Sequence, residues 1–120
     1  MASLDMQGPY SLSPIELDKQ VAKTSAGNYA LGSVKENGKF GVEYVGRSDT
    51  DLNARLKQHA NVGKYQMFKY SYATSGKSAF EKECQNFHDF GGTEYLDNEI
   101  HPDRPAGSAW KCPYCGIFDS

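Results

Sequence analysis

Hydrophobic residues recur about every four positions in some segments of this chain, as in a helix, and about every two positions in others, as in a strand. Each change of spacing marks a predicted boundary between helix and strand. Leu52, Leu56 and Ala60 recur every four residues, as on one face of a helix. The aromatic-rich segment 65–73 alternates as a strand does, and Asn37-Gly38 is typical of a tight hairpin turn. The pattern predicts, in order, a helix over 14–23, strands over 28–34 and 40–46, a helix over 52–61, a strand over 65–73 and a helix over 75–90.

This order of elements predicts an α/β fold of the α+β type, in which a small three-stranded antiparallel sheet is flanked by helices. The chain has 120 residues, close to the commonest size of one domain, so we expect a single domain over 1–120. Within it we distinguish an N-terminal helical extension over 1–26, a core over 27–102 and a tail over 103–120.

Composition narrows the class of protein. With 38% hydrophobic and 23% charged residues, the chain is expected to fold rather than to remain disordered. No run approaches the roughly eighteen apolar residues that a membrane span needs, so no membrane partner is predicted. Met1 to Gly8 carry neither the basic patch nor the apolar stretch of a signal peptide, and a cytoplasmic location is expected.

Charge is distributed unevenly, although the formal net charge is only −2. Residues 39–82 hold eight basic and four acidic side chains, a net of +4, whereas residues 83–120 have a net of −5. The middle of the chain could therefore present one face to phosphate groups. The alternative interpretation is an ordinary mixed surface.

Three short motifs carry a specific resemblance. Gly27-Asn28-Tyr29 lies on the first strand of the predicted hairpin, Tyr44-Val45-Gly46 lies on the second, and the next helix contains Leu52-Asn53-Ala54-Arg55-Leu56. Over roughly residues 27–102 the chain resembles the GIY-YIG nuclease family. The resemblance implies that the two tyrosines lie on adjacent strands of a small antiparallel sheet, which agrees with the fold class predicted above.

The resemblance also implies a divalent-metal-dependent endonuclease that hydrolyses the phosphodiester bonds of DNA. In that family a tyrosine pair, an arginine, one metal-binding glutamate and an asparagine form the site, and some members carry a histidine after the arginine. The matching residues of this chain are Tyr29, Tyr44, Arg55, His59, Glu83 and Asn98. Glu83 is then the ligand of one Mg²⁺ or Mn²⁺, and Asn86 is the alternative to Asn98.

Helical geometry agrees with several of these assignments. Arg55 and His59 lie about one turn apart, so both emerge beside the apolar stripe of their helix. On the later helix, each residue adds about 100° of rotation around the helix axis. Counted from Phe80, Glu83 then lies at about 300°, inside the arc of apolar side chains, and Glu81 lies at about 100°. A carboxylate in an apolar arc costs several kcal/mol unless a cation or hydrogen bonds compensate it. Glu83 is therefore the predicted ligand, and Glu81 is the alternative as a surface acid.

Phosphodiester hydrolysis requires that the charge building on the phosphate is neutralised as water attacks. Arg55 supplies a planar, permanently charged fork for phosphate. A tyrosine has an unperturbed pKa of about 10, so it acts as a base only if a neighbour lowers that pKa or takes up its proton. The sequence leaves open whether Tyr29 or Tyr44 contacts the water. Gly46 is predicted to allow close approach of the substrate backbone, and Arg47 and Lys57 are the predicted rim contacts to neighbouring phosphates.

The C-terminal third contains a second set of metal-binding residue types. Cys112-Pro113-Tyr114-Cys115 is a Cys-x-x-Cys knuckle, and Cys84 and His88 stand four apart on the last predicted helix. Cys84, His88, Cys112 and Cys115 together give the four ligands of a structural Zn²⁺ site, in which His101 could replace His88. The alternatives are a buried Cys84 without a ligand role and a redox pair of Cys112 with Cys115.

The sequence therefore predicts a Mg²⁺- or Mn²⁺-dependent DNA endonuclease with an additional structural Zn²⁺. One alternative is a non-catalytic module of the same fold that binds nucleic acid or a protein. Another is a toxin or mobile-element nuclease that a partner holds in check. The sequence does not determine the DNA preference or the oligomeric state.

Overall fold

A computed structural model gives the fold and describes residues 6–98, 101–102, 110 and 112–113. Strands and helices alternate along most of this part of the chain, and the predicted α+β class is confirmed. In chain order the elements are β1 (Gln7–Ser11), α1 (Pro14–Gln20), β2 (Gly27–Val34), β3 (Phe40–Ser48), α2 (Leu52–Val62), β4 (Met67–Tyr72), α3 (Gly76–Asp89) and α4 (Gly92–Tyr95).

The sheet has four strands in the order β1-β4-β2-β3, and every neighbouring pair is antiparallel. The prediction of three strands is wrong because it lacks β1, which pairs with β4 at one edge. β1 is short and contains Gly8 and Pro9, residue types depleted in strands, so its sequence carries a weak strand signal. The interpretation of residues 1–26 as a helical extension is therefore corrected at Gln7–Ser11.

Side-chain caps begin the helices near the predicted positions. The Ser13 side chain accepts from a backbone N–H in the first turn of α1, and the Asp51 side chain does the same for α2. α3 opens with reciprocal hydrogen bonds between Ser75 and Ser78. These caps satisfy backbone N–H groups that have no partner within their helix, so the helix starts are fixed by local sequence.

Two hydrophobic clusters cover the two faces of the sheet. Side chains of α1, α2, β2 and β4 form one of them, which includes Leu17, Tyr29, Leu31, Leu56 and Phe68. The second cluster joins β2 and β3 to α3 and includes Ala30, Val45, Phe87 and Leu96. Consecutive residues of β2 alternate between the two clusters, as the pleat of a strand requires. β2 is thus buried on both faces, and Tyr29 faces α2.

The outer strand β3 is covered along part of its length by the chain that follows α4. The Asp97 N–H donates to the Glu43 carbonyl oxygen at 2.6 Å. The Asn98 side chain bonds both backbone groups of Val45. These contacts bring residues 97–98 against the strand that carries Tyr44. In the part of the chain that the structure describes, no helix has the length and apolar character to cross a membrane.

Candidate active site

A cavity of about 470 Å³ lies at the β3 edge, where side chains from both faces of the sheet meet. β2 and β3 contribute tyrosines to its wall, α2 contributes an arginine and α3 contributes a glutamate. The predicted catalytic residues that line it are Tyr29, Tyr44, Arg55, Glu83 and Asn98. The structure therefore brings together residues that are spread over most of the predicted core of the sequence.

The register of the β2–β3 hairpin places the two tyrosines side by side. Tyr29 pairs with Gly46 and Leu31 pairs with Tyr44, so Tyr29 and Tyr44 are diagonal neighbours on one face. Their ring centroids are 6.4 Å apart, and the ring planes are 18° from parallel. A Cβ atom at position 46 would overlap the Tyr29 phenol. Glycine at this position therefore leaves the space that the Tyr29 ring needs.

Arg55 and His59 of α2 lie beside the tyrosine pair. The Tyr29 hydroxyl lies 2.8 Å from His59 Nε2, and Arg55 lines the same cavity, where its charge opposes the increase in the pKa of Tyr29. In the tautomer of His59 that carries its proton on Nδ1, Nε2 accepts the hydrogen bond from the Tyr29 hydroxyl. The His59 ring also lies 5.4 Å from the Tyr44 ring, measured between centroids. His59 thus contacts both members of the tyrosine pair, and Arg55 lies beside them at the cavity wall.

Burial sets the protonation states of these groups. Burial raises the pKa of Tyr29 well above its usual value, and Tyr44 adds to the increase while Arg55 opposes it. Burial also raises the pKa of Tyr44, with a further contribution from Glu83. Burial and then the Arg55 charge lower the pKa of His59 from its usual 6.5. At neutral pH both phenols are therefore protonated, and the neutral form of His59 is favoured.

Glu83 reaches the cavity from α3 and is only 8% exposed. Its Oε1 accepts from Arg47 Nη1 at 2.5 Å, and Arg47 Nε donates to Asp49 Oδ1 at 2.9 Å. Burial raises the pKa of Glu83, while the Arg47 guanidinium opposes the increase. Arg47 is therefore the counter-charge that favours the ionised form of this carboxylate.

The oxygen donors beside Arg47 suit a hard divalent cation. Glu83 and Asp49 place two carboxylates around one guanidinium, and both line the cavity. Mg²⁺ and Mn²⁺ bind through one or two carboxylates together with water and substrate oxygens, so the donor set fits them with Glu83 as a ligand. Glu81, the alternative, is half-buried on α3 and lies outside the described lining of the cavity.

Asn98 holds the backbone of β3 at the cavity wall. Its Oδ1 accepts from the Val45 N–H at 3.1 Å, and its Nδ2 donates to the Val45 carbonyl oxygen at 2.8 Å. This two-point contact fixes the strand between Tyr44 and Gly46. Asn86, the alternative, is 2% exposed within α3 and is not one of the described residues that line the cavity.

The three predicted substrate contacts occupy different positions. Gly46 lines the cavity, but the space above it is filled by Tyr29. Arg47 also lines the cavity and is engaged in the ion pair described above. Lys57 points to α1, where its Nζ lies 2.6 Å from Asp18 Oδ1, and it does not belong to the described cavity lining. Lys57 is therefore placed with the α1–α2 contact rather than with the site.

A cysteine–histidine cluster lies beside the cavity. Candidate ligand atoms of Cys84, His101 and Cys112 all lie within 4.8 Å of one another. His88 Nε2 is 3.2 Å from His101 Nε2 and 3.5 Å from Cys112 Sγ. His101, which the sequence offers only as a replacement for His88, thus belongs to the cluster, and His88 adjoins it. The fourth predicted ligand, Cys115, lies outside the described residues.

The sequence analysis of the cavity misses five of the lining residues, which are Ser48, Asp49, Thr50, His101 and Pro102. Asp49 follows Arg47 by two positions, and side chains two apart on an extended segment share a face, so this spacing could have indicated the pair. The position of His101 at the cavity wall has no such local signal, because it depends on how the chain after α4 returns to β3.

Comparison with protein-family models, curated proteins and solved structures found no match to this chain. The similarity to the GIY-YIG nucleases therefore rests on the residues quoted above.

Proposed function

We propose that the protein is a divalent-metal-dependent DNA endonuclease that resembles the GIY-YIG nucleases. The observation that carries the proposal is the convergence of Tyr29, Tyr44, Arg55 and Glu83 on one cavity, although two strands and two helices supply them. Phosphodiester hydrolysis needs a phosphate-binding cation, a route for the proton of water and a metal-binding carboxylate around one phosphate. The cavity offers all three.

Arg55 is proposed to bind the phosphate that is cleaved. It lies on an exposed part of α2 and lines the cavity. Its planar fork matches two nonbridging oxygens, and its permanent charge offsets the negative charge that builds on them as water attacks. One guanidinium nitrogen, Nη1, donates to Gln58 Oε1 of the same helix at 3.2 Å.

Tyr29 and His59 are proposed to take up the proton of the attacking water. In the His59 tautomer whose Nε2 accepts, the Tyr29 hydroxyl donates to this nitrogen across 2.8 Å. As water attacks phosphorus, its proton passes to the Tyr29 oxygen while the Tyr29 proton passes to His59, so no free phenolate forms. The raised pKa of Tyr29 makes a free phenolate unfavourable, and an acceptor behind the phenol removes the need for one. Tyr44 orients the water from the neighbouring position.

Glu83 is proposed to hold one Mg²⁺ or Mn²⁺. When bound, such a cation polarises the phosphate and stabilises the departing 3′ oxygen. Arg47 donates to Glu83 at 2.5 Å and to Asp49 at 2.9 Å, so Arg47 keeps a carboxylate partner when Glu83 binds a cation. This arrangement favours an ionised Glu83 before the cation arrives.

DNA is the proposed substrate class because both the chemistry and the local charge suit a polyanion. Residues 39–82 have a net charge of +4 and supply β3 and α2, two of the elements at the cavity. Contacts to phosphates position a nucleic acid without reading its bases. A single domain of this size offers few base contacts, so we expect little sequence specificity.

Cleavage of plasmid and branched DNA with Mg²⁺ or Mn²⁺ tests the proposal. Arg55→Ala and Glu83→Gln should each lower the cleavage rate by about 10²–10³-fold, as the loss of one group that stabilises transition-state charge does. Lys77→Ala and Glu81→Gln are the matched controls. They change the same charges at α3 positions outside the described cavity lining and should cut as the wild type does.

Equal cleavage by the wild type, Arg55→Ala and Glu83→Gln would overturn the assignment of the site. No cleavage by any form would overturn the enzyme proposal. Retention of DNA binding in a wild type that does not cut would instead support the non-catalytic module.

A further inference from the structure

We infer that Cys84, His101 and Cys112 bind one Zn²⁺ ion, which attaches the chain after α4 to helix α3. The inference rests on the geometry of these side chains and does not depend on the proposed nuclease function. The ion has a structural role and is separate from the Mg²⁺ or Mn²⁺ proposed at Glu83.

The three side chains carry the donor atoms that zinc prefers. Two sulfur atoms and one imidazole nitrogen lie within 4.8 Å of one another. Cys84 is 0% exposed and Cys112 is 5% exposed, so thiolates at these positions would be shielded from solvent. Thiolate and imidazole ligands select Zn²⁺ over Mg²⁺ and Ca²⁺, which prefer oxygen. The same pair of buried thiolates would be unfavourable without a cation to neutralise them.

His101 is oriented as a metal-binding histidine is. Its Nδ1 lies 2.8 Å from the Pro102 carbonyl oxygen, and a carbonyl can only accept, so Nδ1 carries the proton. In the neutral ring Nε2 therefore has the lone pair that a metal needs. Metal-binding histidines commonly donate their other ring N–H to a backbone carbonyl in this way, which fixes both the tautomer and the ring orientation.

Two distances from His88 agree with the edges of a zinc tetrahedron, although His88 is not one of the three residues whose ligand atoms all lie within 4.8 Å of one another. Bonds of about 2.3 Å to sulfur and about 2.05 Å to nitrogen give edges of about 3.6 Å for sulfur–nitrogen and about 3.3 Å for nitrogen–nitrogen pairs. His88 Nε2 lies 3.5 Å from Cys112 Sγ and 3.2 Å from His101 Nε2. Cys115, outside the described residues, is the second candidate for the fourth ligand because of its Cys-x-x-Cys spacing. The complete site is then either Cys₂His₂ or Cys₃His.

Among the described residues, apolar packing around the cluster is limited, which leaves a role for an ion. The apolar contacts that join Cys84 to Cys112 involve Phe80, with Trp110 packed against them. This cluster is smaller than the two that cover the sheet. Segments with little apolar burial commonly depend on a metal or a disulfide for their attachment.

The cluster also adjoins the cavity. Cys84 follows Glu83 directly in α3, and His101 both lines the cavity and contributes to the cluster. An ion bound by Cys84 and His101 therefore fixes the distance between the α3 side of the cavity and the wall formed by His101 and Pro102. Zinc would stabilise the shape of the site without touching the substrate.

Elemental analysis of the full chain, purified without chelator or affinity metal, is the first test. We expect about one zinc per chain. A strong chelator should remove this zinc, and the zinc-free protein should no longer unfold cooperatively at the original Tm. Cobalt(II) added to the zinc-free protein should give the visible bands of tetrahedral cobalt and a thiolate charge-transfer band in the near ultraviolet. A zinc-free protein that keeps the original Tm and gives no tetrahedral cobalt spectrum would overturn the inference.

Variants assign the ligands. Cys84→Ser, Cys112→Ser and His101→Ala should each lower zinc content by more than half, whereas His59→Ala, a histidine outside the cluster, should keep it. Full zinc in both cysteine variants would contradict the inference, as would a disulfide between Cys84 and Cys112 found by mass spectrometry in the freshly purified protein. Loss of zinc in either His88→Ala or Cys115→Ser identifies the fourth ligand, and the intensity of the cobalt charge-transfer band distinguishes two thiolates from three.

Discussion

Tyr29 and Gly46 face each other across the β2–β3 ladder, and the Tyr29 phenol fills the space that a side chain at position 46 would occupy. Gly46 is not one of the described glycines with a positive φ, so close approach rather than backbone conformation accounts for the residue type. Because the Tyr29 phenol occupies this space, Gly46 also sets the position from which Tyr29 bonds to His59.

Gly46→Ala should displace the Tyr29 ring and lower the free energy of unfolding by about 1–3 kcal/mol, as overpacking of a filled space does. DNA cleavage should fall as well, because the Tyr29–His59 contact is lost. Gly41→Ala on the same strand is the control, since its added Cβ meets only the flexible Lys35 side chain. Urea denaturation and plasmid nicking measure both effects, and equal behaviour of the two variants would contradict the prediction.

Arg47→Met should lower the free energy of unfolding by about 3–5 kcal/mol, because it leaves a buried carboxylate without its counter-charge. The Arg47 and Glu83 side chains are only 12% and 11% exposed, so solvent screens the pair weakly. The double variant Arg47→Met/Glu83→Gln should recover much of the loss, since no charge remains buried. Urea denaturation of the wild type, both single variants and the double variant measures the coupling. Additive effects would show that the ion pair contributes little.

Activity should decrease on the acid side as the pH falls through the pKa of His59, which burial and Arg55 hold below 6.5. A protonated His59 cannot accept from Tyr29, so the proposed proton route is blocked. The free energy of unfolding should also decrease as the pH falls. Below about pH 6.5 the unfolded chain binds a proton at this histidine more readily than the folded chain does, and stability declines until the folded pKa is passed.

His59→Gln isolates this contribution. The variant should show a flatter acid limb in the pH dependence of both cleavage and Tm, together with a lower cleavage rate at neutral pH. An acid limb identical to that of the wild type would assign the titration to another group.

Asn98→Ala should lower the free energy of unfolding by about 1–3 kcal/mol, because it removes both hydrogen bonds to Val45 and leaves the backbone groups of β3 less satisfied. Hydrogen exchange of the Val45 amide should become faster than that of the other β3 amides. A general loss of stability would instead speed up exchange throughout the sheet. Asn61→Ala, at an exposed position in α2, is the control. Unchanged exchange at Val45 would contradict the role given to Asn98.

The hairpin and the longer helices could be predicted because their signals act over a few residues. The Asn37-Gly38 turn joins β2 to β3, and the Asp51 and Ser75 caps start α2 and α3. β1 gives no comparable signal. It is stabilised by pairing with β4, a strand far along the chain, and the local sequence around Pro9 disfavours a strand.

In the candidate site, too, features that depend on local sequence could be predicted, and features that depend on how elements pack could not. Helical periodicity alone places Glu83 on the buried face of α3 and Glu81 outside it, because orientation on one helix is a local property. The pairing of Arg47 with Glu83 joins β3 to α3, so it depends on how these two elements pack. The placement of Lys57 beside Asp18 has the same origin, since it depends on the contact between α1 and α2.

The two outer strands of the sheet also bear on how the protein behaves at high concentration. Asp97 and Asn98 occupy backbone groups of β3 that would otherwise be open to another chain. On the opposite flank, Pro9 removes one donor from β1. Exposed strand edges are templates for aggregation, and charged caps and prolines are among the ways in which proteins protect them. The covering segment therefore protects the β3 flank of the sheet against edge-to-edge growth, and the register shift around Pro9 makes β1 an irregular template at the other flank.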